Sequence, residues 1–406
     1  MFNNHALRLY LFTLAAALPT WLFVQQPAVA QDQRMDPQEA GFDLEKLDEF
    51  KSELEKEIEA GRIVGCSLFL AKDGQVVLFD NMGERDRSEP ADVTNDTIWR
   101  IYSMSKPITS AAIMQLVDQD KIDLDADIST YLPKFKDLQV LEDGEEVACE
   151  REMTVRDLLR HTSGLTYGFF GNSEVDQAYK KARVLITDRN IEQTVDKLSE
   201  IPLLHQPGKR WHYSVSTDVL GRVVEVVSGQ SFKDYLQENI FDPLEMEDTF
   251  FTVPRDKRDR FAELYSPDGD GGLKKASMLT SFRFLNENEL YSGGGGLCST
   301  VDDYFRFCQM LVNKGQFNQQ NILSEESIAA MTKDQLPEGA ASRSFKFGLG
   351  FRITPEGHCL WGGAAGTRFW IDPENNIVGI FMIQINPYQA KEYGNQFKSA
   401  VYESLR

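Results

Sequence analysis

Strand-like segments stand at the two ends of this chain and mainly helical sequence fills the roughly 200 residues between them, which restricts it to folds whose sheet is assembled from both termini. Near the start, Val64 to Ala71 and Val76 to Phe79 are short apolar runs joined by Lys72-Asp73-Gly74-Gln75, a hairpin signal. Near the end, Phe347 to Ile353, Cys359 to Trp361, Thr367 to Asp372 and Ile377 to Ile385 read as further strands, the last two joined by Pro373-Glu374-Asn375-Asn376. Helices are expected outside them. Leu44, Leu47, Phe50, Leu54 and Ile58 recur at three- and four-residue steps within Asp43 to Gly61, and a last helix is expected over Ala390 to Leu405. Between them the helical pattern covers Ile108 to Val117, Thr154 to Arg160, Ile191 to Leu198, Thr217 to Ser228, Phe232 to Ile240 and Val301 to Val312. The expected organisation is α+β: an antiparallel sheet region from 31–100 and 313–406, flanked by N- and C-terminal helices, with 101–312 inserted as a mainly helical region, the two forming one catalytic domain. A site at the seam between them is the default expectation.

Residues 1–30 carry Arg8, an apolar run from Leu9 to Val24 and then Ala28-Val29-Ala30, the order of a secretory signal peptide whose removal would leave Gln31 first. Pro19 interrupts a run already short of the roughly 20 apolar residues of a spanning helix, so no stable membrane anchor is expected, and the mature chain is expected outside the cytoplasm, periplasmic or secreted. Losing Arg8 and no acid would take the formal charge from −20 to −21, which makes nucleic acid an unsuitable partner. The acids are scattered, as on a solvated surface. Cys66, Cys149, Cys298, Cys308 and Cys359 are odd in number and lack metal-ligand spacing; buried free thiols are expected, with one disulfide as the alternative. Nothing sets an oligomeric state.

Chemistry is concentrated in Ser103-Met104-Ser105-Lys106-Pro107, just before the apolar face Ile108, Ala111, Ala112 and Leu116. Pro107 fits only a helix that is beginning, which puts Ser103 in a first turn whose free N–H groups favour developing negative charge. Lys106 is three residues on and shares its face. A serine hydroxyl is a poor nucleophile until a neighbour accepts its proton, and a partly desolvated lysine is suited to that task. Alone, S-x-x-K is about as common as chance allows. Its context is not: Tyr213-Ser214-Val215 follows 110 positions later, before the helix ending at Ser228-Gly229, and Trp361-Gly362-Gly363-Ala364 another 148 later, in the strand region.

In that order, Ser103 to Lys106, Tyr213 to Val215 and Trp361 to Gly363 resemble the three signatures of penicillin-binding-protein-like serine hydrolases, especially the class C β-lactamase and carboxylesterase branch. His161-Thr162-Ser163-Gly164-Leu165, Ser292 to Thr300 and Trp361 to Asp372 extend the resemblance over nearly all of the chain after residue 30. The resemblance implies a β-lactamase/transpeptidase-like fold and an acyl-enzyme on Ser103, with Lys106 and Tyr213 sharing the acid and base roles; which of them takes the first proton stays open. Tyrosine ionises near pH 10, so Tyr213 needs cationic help to act as a base. The oxyanion would rest on the N–H groups of Ser103 and Ala364, and Gly362 and Gly363 would let substrate lie close to the strand.

Two departures favour neutral esters over penicillins. Trp361 and Gly362 stand where β-lactamases and peptidases carry Lys and Thr, so the usual clasp for a substrate carboxylate is missing, and Val215 replaces an amide-binding Asn. Carboxylic-ester hydrolysis, with weak β-lactamase activity beside it, is the leading expectation. A β-lactamase, a D-amino-acid peptidase and an acyltransferase are alternatives, and a non-catalytic binding protein is the remotest. The substrate would be a small-molecule ester or amide. Tyr167, Phe169, Phe170 and Tyr291 are candidates to wall an acyl pocket, against plain core packing. Arg368 stands as a substitute carboxylate partner or an ordinary ion pair. The four glycines Gly293 to Gly296 read as a turn before the Val301 helix. There is no G-x-S-x-G elbow, so His161 and His212 are read as structural, and His358 beside Cys359 has no cluster around it; no metal or cofactor is expected.

Overall fold

The computed structural model describes residues 34–406 apart from Pro90, Thr187 and the segments 277–283, 342–344 and 389–391. The proposed signal sequence therefore lies outside the described residues. Eight strands form the main sheet in the order Lys346–Phe347, Arg352–Ile353, Cys359–Gly362, Arg368–Asp372, Ile377–Ile383, Gly65–Lys72, Gln75–Asp86 and Ala91–Asp92, each antiparallel to its neighbours. The two ends of the chain meet in its middle, where Cys66 pairs with Ile383 and Lys72 with Ile377. Both of these central strands are buried almost throughout because the sheet is covered on both faces.

The alternation of side chains assigns each face. Leu68, Leu70, Trp370 and Phe381 point to the back, where the helices Leu44–Glu59 and Tyr393–Ser404 lie; Phe50 stacks on Phe397 with ring centroids 5.7 Å apart. Asp43 caps the first of these helices. Phe69, Ala71, Phe369 and Ile371 point forward into the larger core, shared with the helices Ser105–Asp118, Ser216–Ser228 and Val301–Val312. The nucleophile candidate sits at that seam.

The expected strand Phe347 to Ile353 is instead a tight hairpin of two short strands. Gly350 turns it at φ +107°, and a Cβ on Gly348 would lie 2.0 Å from the Met331 carbonyl oxygen, so the chain must bend where the apolar run continues. The helix Phe232–Leu236 runs into a wider π turn, Gln237–Phe241. All five cysteines are free, which excludes the alternative of a disulfide. No described helix is long and apolar enough to cross a membrane.

Candidate active site

Ser103 lies in a single 3-10 turn, Tyr102–Met104, that runs directly into the Ser105–Asp118 helix. Tyr102 adopts φ +43°, a left-handed conformation that a bulky residue holds only when its surroundings enforce it. They do so here. Ile101 N–H donates to the Leu297 carbonyl (3.1 Å), Leu297 N–H to Ser105 Oγ (3.1 Å) and the Tyr304 hydroxyl to the Met104 carbonyl (2.9 Å). The Tyr102 ring packs edge-on against Phe284. The result presents Ser103 half-exposed while Tyr102, Met104, Ser105 and Lys106 are all buried.

Three distant segments converge on the Ser103 hydroxyl. The Tyr213 hydroxyl donates to Ser103 Oγ at 2.7 Å, and Lys106 Nζ is 3.5 Å from the same oxygen. Lys106 is wholly buried and donates also to the Gly294 carbonyl (2.5 Å) and the Tyr167 hydroxyl (2.8 Å). Its ammonium stands over the rings of Tyr213 and Tyr167, 4.6 and 5.3 Å from their centroids. Tyr167 thus serves the lysine rather than merely walling a pocket. Burial, with Tyr213 and Asp218 beside it, pushes the Tyr167 phenol well above its ordinary range, so it keeps its proton.

Behind the lysine is a group that no sequence pattern singles out. Asp218, fully buried on the Ser216–Ser228 helix, accepts through Oδ1 from the Ser292 hydroxyl and from Gly294 N–H (3.1 Å), while its Oδ2 has no hydrogen-bond partner. Burial raises its carboxyl, opposed by Ser292 and the charge of Lys106. A Cβ on Gly294 would stand 2.6 Å from Asp218 Oδ2 and 3.0 Å from the Tyr167 hydroxyl. The glycine run is therefore the seat of Lys106 as well as a turn. Its signal was the four successive glycines, which only the fold ties to Lys106.

The third segment ends the strand Cys359–Gly362 against the nucleophile turn. Gly363 explains the contact: a Cβ there would be 2.4 Å from the Ile101 carbonyl oxygen and 2.2 Å from Thr367 Oγ1. The missing side chain thus makes room for the serine turn, whereas the sequence suggested room for substrate. Gly362 faces the back, paired with Arg368. Ala364 is exposed in the turn after the strand rather than on it. Trp361 faces forward, its ring 5.3 Å from that of Tyr213 and 5.4 Å from that of Phe347.

Other expected wall residues divide. Phe169 and Phe170 join Tyr167 and Tyr213 in one aromatic cluster. Tyr291 does not: it packs on Phe251 and lines a separate cavity of about 950 Å³ with Thr252, Arg258 and Asn288. Val215 is fully buried in the core and has no surface to offer a substrate. Arg368 shares the back face with Trp370 and lies against Gly394 of the last helix, so it cannot clasp a carboxylate at Ser103.

The histidines are structural in their contacts. His161 is buried edge-on against Tyr213 (5.0 Å) and Phe347 (5.6 Å), and burial followed by the charge of Lys106 pushes its imidazole well below the usual range. His212 meets Thr166 Oγ1 at 3.2 Å, and His358 Nε2 meets Asp372 at 3.2 Å.

A serine at the head of a buried helix, touched by a phenol and an amine and backed by the end of a sheet strand, defines a serine hydrolase with a β-lactamase/transpeptidase-like fold. The chain belongs to the β-lactamase family, whose model, described as Beta-lactamase, matches residues 50–402. It is similar to the Mycobacterium tuberculosis protein Rv1367c, 31% identical over 84% of this chain and 90% of that protein. It also resembles the esterase EstB of Burkholderia gladioli, 29% identical over 77% and 83% of the two chains. Among solved structures it resembles EstCE1, a hydrolase with promiscuous acyltransferase activity, at 26% identity and a TM-score of 0.74, covering 88% of this chain and 99% of that one.

Proposed function

We propose that the protein hydrolyses neutral carboxylic esters through an acyl-enzyme on Ser103. The observation that carries this reading is the 2.7 Å contact between the Tyr213 and Ser103 hydroxyls beside a buried ammonium. In the reading, the reactive form carries the Tyr213 phenol ionised, its proton given up to solvent, so that the Ser103 hydroxyl donates to it; Ser103 Oγ then attacks the acyl carbonyl as its proton passes to the phenolate oxygen. Lys106, whose donors go to Gly294, Tyr167 and Ser103, is the cation that offsets the negative charge the phenol oxygen bears until that proton reaches it. The same phenol then returns the proton to the departing alkoxide, and water, activated in the reverse sense, releases the acid. Ser103 N–H and Ala364 N–H are the proposed oxyanion donors, at the head of the helix where the backbone dipoles favour negative charge.

Preference for neutral esters is supported by Trp361, an apolar ring on Tyr213 where related enzymes hold a lysine, and by similarity to esterases rather than by any bound substrate. The test is a panel of nitrophenyl esters beside a chromogenic cephalosporin, with wild type and Ser103→Ala. Ester turnover is expected to fall at least about 10³-fold in the variant, together with loss of fluorophosphonate labelling. Turnover unchanged in Ser103→Ala would end the proposal, and rates favouring the cephalosporin would reverse the substrate preference. Export is also proposed, from residues 1–30 alone; N-terminal sequencing of the mature protein should begin at Gln31.

A further inference from the structure

We propose that Phe169 and Phe170 form the selectivity wall of the Ser103 cleft and recognise an uncharged apolar arm of the ester, an alkyl chain of several carbons or an aryl ring. This inference rests on the ester-hydrolase reading and specifies its substrate. Among the described residues, four large hydrophobic side chains are exposed, and two of them are these neighbours, at 61% and 63%. Two adjacent phenylalanines held in water are costly unless something covers them in use.

The loop that carries them is built rather than loose. Asp176, in the first turn of the helix Glu174–Ala182, ties both of its ends. Its Oδ1 accepts from Thr166 Oγ1 (2.9 Å), and its Oδ2 accepts from Ser173 N–H (3.0 Å) and Oγ (2.7 Å) in a capping box. Thr166 Oγ1 in turn accepts from Gly168 N–H (3.1 Å), and Gly168 turns the chain at φ +80° with no room for a side chain, since its Cβ would lie 2.6 Å from Tyr179 Cβ. Lys180 donates to the Gly171 carbonyl (3.1 Å). Two rings are thus displayed from a loop pinned on both sides.

Their position relates them to the chemistry. Phe169 and Phe170 are 4.4 Å apart, Phe169 lies 5.1 Å from the Tyr167 ring, and Phe170 lies 6.0 Å from the ring of Tyr213, whose hydroxyl touches Ser103. Trp361 flanks Tyr213 at 5.3 Å. An acyl carbonyl at Ser103 therefore has an aromatic surface within a few carbon atoms' reach. The side chains of Phe169 and Phe170 carry no polar atom, so what they can bury is an apolar arm.

The test uses Phe169→Ser, Phe170→Ser and the double variant on two nitrophenyl and alkyl ester series, one lengthening the acyl chain from acetyl to octanoyl, the other lengthening the alcohol on a fixed acetyl group. In the series that carries the arm, the ratio of kcat/KM for the long ester to that for the short one should fall about tenfold in each single variant, chiefly through KM. Ratios unchanged in both series for the double variant, with Ser103-dependent turnover intact, would overturn the wall and leave the hydrolase standing. Absence of Ser103-dependent turnover of every ester by wild type would overturn the hydrolase, and this inference with it. A dimer that the double variant dissolves in analytical ultracentrifugation, with unchanged ratios, would assign the rings to a second copy of the chain and likewise overturn it.

Discussion

Adding one methyl group at Gly363 tests whether the strand end positions the nucleophile. Its Cβ would lie 2.4 Å from the Ile101 carbonyl oxygen, where ordinary contact begins at 3.4 Å, so strand and serine turn must part by about 1 Å. Thr367 Oγ1, at 2.2 Å on the other side, can rotate away, but the Ile101 carbonyl is fixed because it accepts Met104 N–H (3.0 Å) to close the turn. Misplacing reacting groups by about 1 Å costs on the order of a hundredfold, about 2.7 kcal/mol of activation free energy, and the overpacking itself costs about 1–3 kcal/mol of stability. Gly363→Ala should therefore lower ester kcat/KM and the rate of fluorophosphonate labelling together by about 10², with a melting temperature lower by a few degrees. Gly362→Ala is the control: its Cβ would meet only the Thr367 carbonyl (2.9 Å) and Arg368 on the back of the sheet, and less than about tenfold should be lost. Activity and labelling of Gly363→Ala both within threefold of wild type would refute the positioning argument.

Asp218→Asn should be more heat-resistant at neutral pH yet slower. Burial raises the Asp218 carboxyl, so holding it ionised costs stability that grows as pH climbs above its ordinary 3.8; the amide removes that cost along with the negative charge behind Lys106. A melting temperature higher by a few degrees and kcat lower by about tenfold or more are expected, and a less stable, fully active variant would contradict this. Asp157→Ala should lose about 3–5 kcal/mol in urea unfolding, because the buried carboxylate bridges Arg151 (2.6 Å) and Arg160 (2.8 Å). Although burial works against it, hydrogen bonds from Arg151, Thr154 N–H, Arg160 and Thr162 hold this carboxyl down at about 2. Its contribution is present above pH 3.8 and is lost as pH falls through about 2, so acid titration of the urea midpoint should show a steeper loss in wild type than in Asp157→Asn.

Periodicity revealed the elements whose neighbours are local. The helix expected over Asp43 to Gly61 forms over Leu44–Glu59, and Val301–Val312 was bounded as found, because an apolar stripe and a cap residue are both written in adjacent positions. The hairpin at Asp73-Gly74 was equally plain, with φ +51° and +76° at its tip. Periodicity failed where tertiary contacts decide. The helix Glu174–Ala182 escaped notice because only one side of it is apolar and short, and Gly348–Phe351 bends because Met331 stands in its way. In the site, Ser103, Lys106 and Tyr213 were named through motifs that resemble the family's signatures, and they meet. What spacing could not convey is how partners are shared: Tyr167 turning its hydroxyl to Lys106, Asp218 reaching Gly294, or Tyr291 leaving for another cavity.

The strand Ile377–Ile383 closes the sheet by entering between Arg368–Asp372 and Gly65–Lys72. During synthesis the first hairpin leaves the ribosome with one hydrogen-bonding edge bare, and its partner follows roughly 300 residues later. Such long-range pairing makes acquisition of the native state slow, and it leaves an oily ribbon open to self-association until the partner strand has been made. Yield of the recombinant protein will accordingly depend on holding that edge apart from its copies more than on the heat tolerance of the finished molecule.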